Sequence, residues 1–203
     1  GEVLLRHLQV IIATDDMYEH ILWTDEPFSN IVNACPELEP RTIVLNGVSK
    51  AYSMTGWRIG YAGGPIDLIK AMTKIQSQST SNPASICQAA AVAALNGSQD
   101  CVETMRKAFI ERHAYVLQAL NSLPGVECIA SDGTFYAFPS FKGAMDNLVL
   151  DDDLKLAEHL IEQANVALVP GSAFGAPGHA RISFATSMTN LETAISRLES
   201  VLK

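Results

Sequence analysis

Residues 46–60 of this chain read NGVSKAYSMTGWRIG, a glycine-punctuated segment that sets Lys50 and Arg58 eight residues apart. The segment follows the apolar, β-branched run Thr-Ile-Val-Leu at 42–45, which predicts a buried strand. Lys50 is therefore expected just past the carboxyl end of a strand. Open α/β sheets bind their ligands at this edge.

A second candidate site segment lies upstream and also follows an apolar run. Residues 10–13 read Val-Ile-Ile-Ala and predict a strand, and Thr14-Asp15-Asp16-Met17-Tyr18 comes directly after it. Asp15 and Asp16 are competing candidates for a carboxylate at the ligand-binding edge. Taken alone, Asp15 could instead be a turn or N-cap carboxylate, because the run from Tyr18 to Leu22 predicts a helix.

A third candidate segment lies near the carboxyl terminus. Residues 169–175 read Val-Pro-Gly-Ser-Ala-Phe-Gly, and residues 178–185 place Arg181 within an alternating, strand-like pattern. A guanidinium group binds a planar carboxylate through two parallel charge-assisted hydrogen bonds, so Arg181 is a candidate anion-binding residue. The alternative is a strand arginine that faces solvent.

The segment around Lys50 resembles the active-site lysine signature of class I aminotransferases, the pyridoxal-phosphate enzymes of fold type I. The matching positions are Gly47, Ser49, Lys50, Gly56, Arg58 and Gly60. A single lysine or arginine in a polar loop is usually only a solvated charge. The combined pattern is far more specific, and it implies that the chain uses pyridoxal 5'-phosphate.

The resemblance also implies roles for five residues. Lys50 would bind the cofactor covalently and move the proton of the substrate α-carbon. Asp15 would keep the pyridine nitrogen protonated, and Tyr18, three residues later, would donate to the phenolic oxygen. Arg58 would bind the cofactor phosphate. Arg181 would bind the substrate α-carboxylate.

One position departs from the family pattern. Many relatives have a phosphate-binding serine three residues before the lysine, where this chain has Gly47, so Ser49 or a backbone N–H group is expected to contribute instead. The segment from Gln76 to Asn82 resembles the aspartate and prephenate aminotransferase branch. In that branch the corresponding loop approaches the cofactor of a second subunit, which implies a homodimer.

Composition is typical of a folded enzyme and argues against two classes of partner. Apolar residues make up 48% of the chain, charged residues 18%, and the formal net charge is −8. An acidic chain without a basic cluster is unsuited to nucleic acid or an anionic membrane surface, and no apolar run approaches the roughly twenty residues of a membrane span. Four cysteines and five histidines lack metal-ligand spacing, which favours reduced thiols and a cytoplasmic location.

The sequence predicts an α/β fold with two parts. Three strands, at 10–13, 42–46 and 58–63, precede the first long helix, and a sheet of three strands has two bare edges. The chain is therefore expected to be the carboxyl-terminal half of a larger protein. Its predicted parts are the end of the mostly parallel large cofactor-binding domain (1–98), a linking helix (99–122) and an α+β small domain (123–203).

Helical periodicity and turn residues predict the remaining elements. Residues 66–75, 85–95, 100–120, 152–164 and 191–202 are expected to be helical, and residues 76–83 form a polar loop. Short strands are expected at 126–129, 134–138, 166–169 and 181–184. The segment before residue 9 also has a helical pattern.

The resemblance implies transfer of an amino group between an amino acid, with aspartate or glutamate favoured, and a 2-oxo acid. Two other functions remain open at this point. The same fold supports carbon–sulfur lysis and other eliminations, which Lys50 alone cannot distinguish from amino transfer. A non-catalytic half-protein, or a regulator built on an aminotransferase-like module, is the third possibility.

Overall fold

A computed structural model describes residues 1–203 and divides into two compact units, Gly1–Met105 and Arg106–Lys203. The elements of the first unit are α1 (Glu2–Leu5), β1 (Ile12–Asp15), α2 (Ile31–Ala34), β2 (Thr42–Gly47), β3 (Gly60–Gly63), α3 (Ile66–Ser79) and α4 (Ser85–Asn96). The long helix α5 (Asp100–Ser122) begins in this unit and continues into the second. The three strands predicted from the sequence are present, with ends that differ by up to two residues.

The sheet of the first unit has the order β1-β2-β3. Strands β1 and β2 run parallel, with Asp15 beside Leu45, whereas β2 and β3 are antiparallel, with Gly47 beside Gly60. Only one of the two pairs is parallel, so the sheet is mixed within this chain. The parallel pair brings the carboxyl ends of β1 and β2 to the same edge.

The amino-terminal segment is held against the sheet by an apolar cluster and by Arg41. Ile12, Cys35 and Leu38 are buried together, with Leu4 packed against them. The Arg41 guanidinium donates to backbone carbonyls of α1 and of the residues that follow it. One side chain thus satisfies carbonyl groups that would otherwise need water.

Two sequence predictions in this unit were wrong in detail. Helix α3 continues to Ser79, so residues 76–79 of the predicted polar loop are helical. The predicted helix at 18–22 is a series of turns, in which the Ile21 N–H donates to the Tyr18 carbonyl. Propensity over so short a stretch is a weak guide, because a single turn of helix is not stable without tertiary support.

The second unit has an antiparallel sheet flanked by helices. Its elements after α5 are β4 (Tyr136–Ala137), α6 (Lys142–Asn147), α7 (Asp153–Ala164), β5 (Val169–Pro170), β6 (Ala180–Ser183) and α8 (Met188–Val201). The strand order is β4-β6-β5, so β6 is central. The strand predicted at 126–129 is reduced to a single bridge between Glu127 and Ser140, and α6 was not predicted.

Aromatic and leucine side chains form the core of the second unit. The Phe109 ring lies 5.4 Å from that of Phe135 and 6.2 Å from that of Phe184. Helices α7 and α8 add buried leucines at helical spacing, including Leu160 and Leu198. None of the helices in the chain combines the length and the apolar character needed to cross a bilayer.

His113 makes the stability of the protein depend on pH. Burial lowers the pKa of the His113 imidazole below its usual value of about 6.5, since the charged form loses solvation. Its Nε2 accepts a hydrogen bond from the Ser131 backbone N–H at 3.2 Å, which the protonated ring cannot do. As the pH falls through about 6.5 the unfolded chain binds the proton first, so the free energy of unfolding should fall.

Urea unfolding at a series of pH values between about 5 and 8 measures this effect. The His113→Gln variant keeps an acceptor but does not titrate, so its free energy of unfolding should vary less with pH in that range. The same pH dependence in both proteins would contradict the assignment to His113.

Candidate active site

The first group of candidate residues lies at the sheet edge where β1 and β2 end. Asp16 directly follows the last residue of β1, and its N–H donates to the Leu45 carbonyl at 2.9 Å. Asp15 is the last residue of β1, Tyr18 lies in the loop that follows it, and the loop after β2 carries Lys50. Parallel pairing therefore brings together segments that are more than thirty residues apart in the sequence.

The two neighbouring aspartates at this edge have different environments. Asp16 is buried, and its carboxylate accepts a hydrogen bond from Asn30 Nδ2 at 2.8 Å. Asn30 also caps α2 through its own side-chain oxygen. The Asp15 carboxylate is exposed and accepts only a long contact from the Met17 N–H, at 3.4 Å. Asp16 is thus used within the fold, whereas Asp15 is available to a ligand.

Lys50 lies against the loop that carries Tyr18. Its Nζ is 6.0 Å from the centroid of the Tyr18 ring, and both side chains are half-buried. The two loops are also joined by a hydrogen bond of 2.6 Å from Asn46 Nδ2 to the Glu19 carboxylate. This bond links the residue after Tyr18 to the end of β2, and so fixes the spacing of the two loops.

Arg58 ends the lysine loop in a left-handed backbone conformation, with a φ of 52°. Non-glycine residues adopt this conformation at a cost of about 1 kcal/mol or more, and such residues cluster at functional sites. The Arg58 Nη1 donates to the Thr55 carbonyl at 2.7 Å, and no acidic side chain pairs with the exposed guanidinium. Arg58 therefore presents a positive charge that an anion can neutralise.

Gly47, where the chain departs from the family pattern, is buried and closely packed. A Cβ atom at this position would lie 3.2 Å from both the Gly60 Cα and the Ile59 carbonyl oxygen. A side chain at position 47 would require these backbone atoms to shift by a few tenths of an ångström. Ser49 is half-buried nearby, and its hydroxyl has no hydrogen-bond partner in the chain.

Tyr52 anchors the lysine loop from its other end. Its hydroxyl donates to Gln99 Oε1 at 2.7 Å, and burial raises the pKa of the Tyr52 phenol. A neutral phenol remains a donor over the whole physiological range. The loop is therefore held between β2 and the residues that precede α5.

Arg181 lies in the second unit, on the central strand β6. Its guanidinium carbon is 4.4 Å from the centroid of the Tyr136 ring and 4.7 Å from that of Phe174. The side chain is half-buried, and no carboxylate of the chain pairs with it. Arg181 is thus a second cation without an internal counter-ion.

Comparison with known protein families identifies the family of this chain. A family model described as "Aminotransferase class I and II" matches residues 2–198. The chain belongs to the class I and II aminotransferases. Membership confirms the resemblance drawn from the lysine segment, and it confirms the α/β fold expected for such a chain.

Two aminotransferases are similar to this chain over nearly all of its length. The aspartate/prephenate aminotransferase of Nitrosomonas europaea is 55% identical over an alignment of 208 positions, which covers 100% of the chain and 52% of that protein. The aspartate aminotransferase of Geobacillus stearothermophilus is 48% identical, over 98% of the chain and 50% of its own length. The chain spans about half the length of the curated relatives it matches.

Solved aminotransferase structures share the fold. The crystal structure of the aspartate aminotransferase from Rhizobium meliloti superposes with a TM-score of 0.91 at 46% identity, covering 99% of this chain and 52% of that one. The aspartate aminotransferase from Thermotoga maritima gives a TM-score of 0.85 at 38% identity, over 98% and 50% of the two chains.

The side chains of this aminotransferase chain have the chemistry that pyridoxal phosphate needs. The cofactor has a basic pyridine nitrogen, an aldehyde, a phenolic oxygen and a phosphate. Asp15 offers a carboxylate without a strong internal partner, Lys50 an amine and Tyr18 a phenol at the same sheet edge. Arg58 adds an exposed cation without an acidic partner. These donor groups fit the cofactor.

Sequence reasoning missed several residues that organise the two candidate sites. Glu19 and Asn46 link the loops of the first unit, and Tyr136 and Phe174 contact Arg181 in the second. Glu19 could have been noticed because it directly follows Tyr18. Tyr136 could have been found only with the register of β4 against β6.

Proposed function

We propose that this chain belongs to an enzyme that transfers an amino group between an amino acid and a 2-oxo acid, with pyridoxal phosphate as cofactor. The observation that carries the proposal is the pairing of Lys50 with the Asp15–Tyr18 loop at the carboxyl edge of parallel strands. A reactive amine, an available carboxylate and a phenol at one edge are the groups this chemistry requires.

When bound, pyridoxal phosphate supplies an electron sink that makes the α-proton of an amino acid acidic. The Asp15 carboxylate would keep the pyridine nitrogen of the bound cofactor protonated. The Tyr18 hydroxyl would donate to the phenolic oxygen and lower its basicity. Both residues would thus set the electronic character of the bound cofactor.

Arg58 and Ser49 bind the phosphate in this proposal. A guanidinium and a phosphate form short, charge-assisted hydrogen bonds, and Arg58 has N–H groups to spare beyond the one that binds Thr55. The unpaired Ser49 hydroxyl can donate to a further phosphate oxygen. Gly47 has no side chain, which leaves this role to Ser49 or to a backbone N–H group.

Lys50 holds the cofactor and moves the proton. Its Nζ accepts the proton that leaves the substrate α-carbon, and as a general base it can contribute about 10²- to 10⁴-fold to the rate. Its half-buried position beside Tyr18 places the amine at the sheet edge that also carries Asp15.

Aspartate or glutamate is the proposed amino donor. Two similar relatives, the aspartate/prephenate aminotransferase and the aspartate aminotransferase described above, support this choice. Arg181 binds the α-carboxylate, because its guanidinium lacks an internal counter-ion and presents a planar pair of donors.

We also propose that the complete protein is a homodimer and that it is located in the cytoplasm. Apolar side chains on α3 and α4 are strongly exposed, including Ile75 at 70% and Ile86 at 71%. Such a surface favours burial against another chain or segment in the complete protein. All four cysteines are unpaired, which fits a reducing compartment.

An acceptor-dependence assay of the full-length protein tests the proposed reaction. With aspartate as donor, product should accumulate only when a 2-oxo acid such as 2-oxoglutarate is supplied, and double-reciprocal plots should be parallel because the two half-reactions share one cofactor. Release of ammonia or pyruvate from amino acids without an acceptor would show elimination instead and contradict the proposal.

A further inference from the structure

The most distinctive contact in the second unit is that of Arg181 with two aromatic rings. The guanidinium carbon lies 4.4 Å from the Tyr136 centroid and 4.7 Å from the Phe174 centroid, both well within the roughly 6 Å range of cation–π attraction. Because no carboxylate of the chain pairs with this guanidinium, the rings are its chief electrostatic partners.

Strand register explains how Tyr136 reaches Arg181. Tyr136 on β4 pairs with Ser183 on β6, and Arg181 is two residues from Ser183 on the same strand. Tyr136 and Arg181 are therefore diagonal neighbours on one face of the sheet, a spacing that aromatic and long side chains bridge. Any shift in register would separate them.

Phe174 reaches Arg181 from the turn that follows β5. The Ser172 N–H in this turn donates to the buried Asp153 carboxylate at 2.6 Å, so the turn is tied to the start of α7. The Phe174 ring also meets the Phe138 ring edge-on, at 5.9 Å. Phe174 is thus held in place although its side chain is 48% exposed.

Contact with aromatic faces leaves the hydrogen-bonding edge of a guanidinium available. Ring electrons attract the positive charge without using its N–H groups, whereas an acidic partner would occupy them. A half-buried arginine held in this way keeps its charge and its orientation until a planar anion binds. The long, flexible side chain is then already ordered in the free protein, so binding loses less side-chain entropy.

We infer that Tyr136 and Phe174 are positioning residues that orient the Arg181 guanidinium for the α-carboxylate of the substrate. This inference rests on the role of Arg181 in the proposed function. It adds that substrate affinity depends on the aromatic character of positions 136 and 174, and not only on the charge at position 181.

Leucine variants of the full-length holoenzyme test the inference. Tyr136→Leu should raise the KM for the amino acid, and the Kd for succinate, by about 3- to 10-fold, and Phe174→Leu by about 2- to 5-fold. Succinate carries carboxylates but no amino group, so its binding, measured by calorimetry, is independent of turnover. The kcat and the Kd for pyridoxal phosphate should change less than about two-fold.

Matched controls separate the rings from general packing. Tyr136→Phe and Phe174→Tyr keep an aromatic face and should bind succinate within about two-fold of the parent protein. Tyr115→Leu removes another half-buried ring of the second unit, away from this contact, and should leave the Kd for succinate unchanged. Thermal unfolding identifies any variant that is not folded.

Each result has a distinct meaning. Loss of succinate affinity in the leucine variants, with affinity kept in the ring-preserving ones, supports the inference. If the leucine variants and the ring-preserving variants bind succinate equally well, while Arg181→Lys loses about 10- to 100-fold in succinate affinity, the positioning role is overturned. The role of Arg181 in carboxylate binding then still stands. Unchanged affinity in Arg181→Lys overturns both. A loss in Tyr115→Leu as large as in Tyr136→Leu also overturns the inference.

Discussion

Replacing Lys50 by alanine should abolish amino transfer. Turnover is expected to fall by about 10³-fold or more, because the variant loses both the covalent attachment of the cofactor and the base that accepts the substrate proton. Folding should be nearly unchanged, since Lys50 is only half-buried and lies in a loop held by Tyr52 and Asn46. The measurement is steady-state turnover with aspartate and 2-oxoglutarate.

A chemical readout tests the same residue without relying on activity. The full-length protein is incubated with pyridoxal phosphate, reduced with borohydride and digested, and the peptides are mapped by mass. The added mass should fall on the peptide that carries Lys50 and vanish in Lys50→Ala. Lys74→Ala, which removes an exposed lysine of α3 in the same unit, is the matched control and should keep both label and turnover.

Two outcomes would contradict the role of Lys50. Full turnover in Lys50→Ala would exclude it as the base. A label on another lysine in the parent protein would exclude it as the site of covalent attachment. Thermal unfolding of both variants, compared with the parent, distinguishes a chemical defect from a folding defect.

The position of Lys50 could be predicted from sequence because two local patterns agree there. A β-branched run predicts β2, and glycines punctuate the loop that follows, so the end of the strand is well defined. The parallel pairing of β1 with β2 then places the Asp15 segment at the same edge. The strand and the loop are each encoded by residues that are close in sequence, whereas the pairing joins Asp15 to the distant Leu45.

Other features depend on contacts that no local pattern contains. The bond from Asn46 to Glu19 joins residues 27 apart, and the Arg181 contacts require the register of short strands. The end of α3 was misplaced because Gln and Ser at 76–79 tolerate both helix and loop. Burial of Asp16 also depends on Asn30, which lies in a separate helix cap.

The structure makes the choice between Asp15 and Asp16 testable. Asp15→Asn should lower the kcat by about 10²- to 10³-fold, because a neutral amide cannot hold the proton on the pyridine nitrogen. Its effect on the free energy of unfolding should be small, since the carboxylate is exposed and has only a 3.4 Å contact with the Met17 N–H.

Asp16→Asn is the matched substitution, and its effects should be the reverse. The asparagine oxygen can still accept the hydrogen bond from Asn30 Nδ2, but without the charge, so the free energy of unfolding should fall by about 1 kcal/mol. The kcat should stay within about two-fold of the parent value. Parallel kinetics and urea unfolding measure both quantities. A large loss of kcat in Asp16→Asn with none in Asp15→Asn would assign the pyridine partner to Asp16, because only a carboxylate that faces the cofactor can control its protonation.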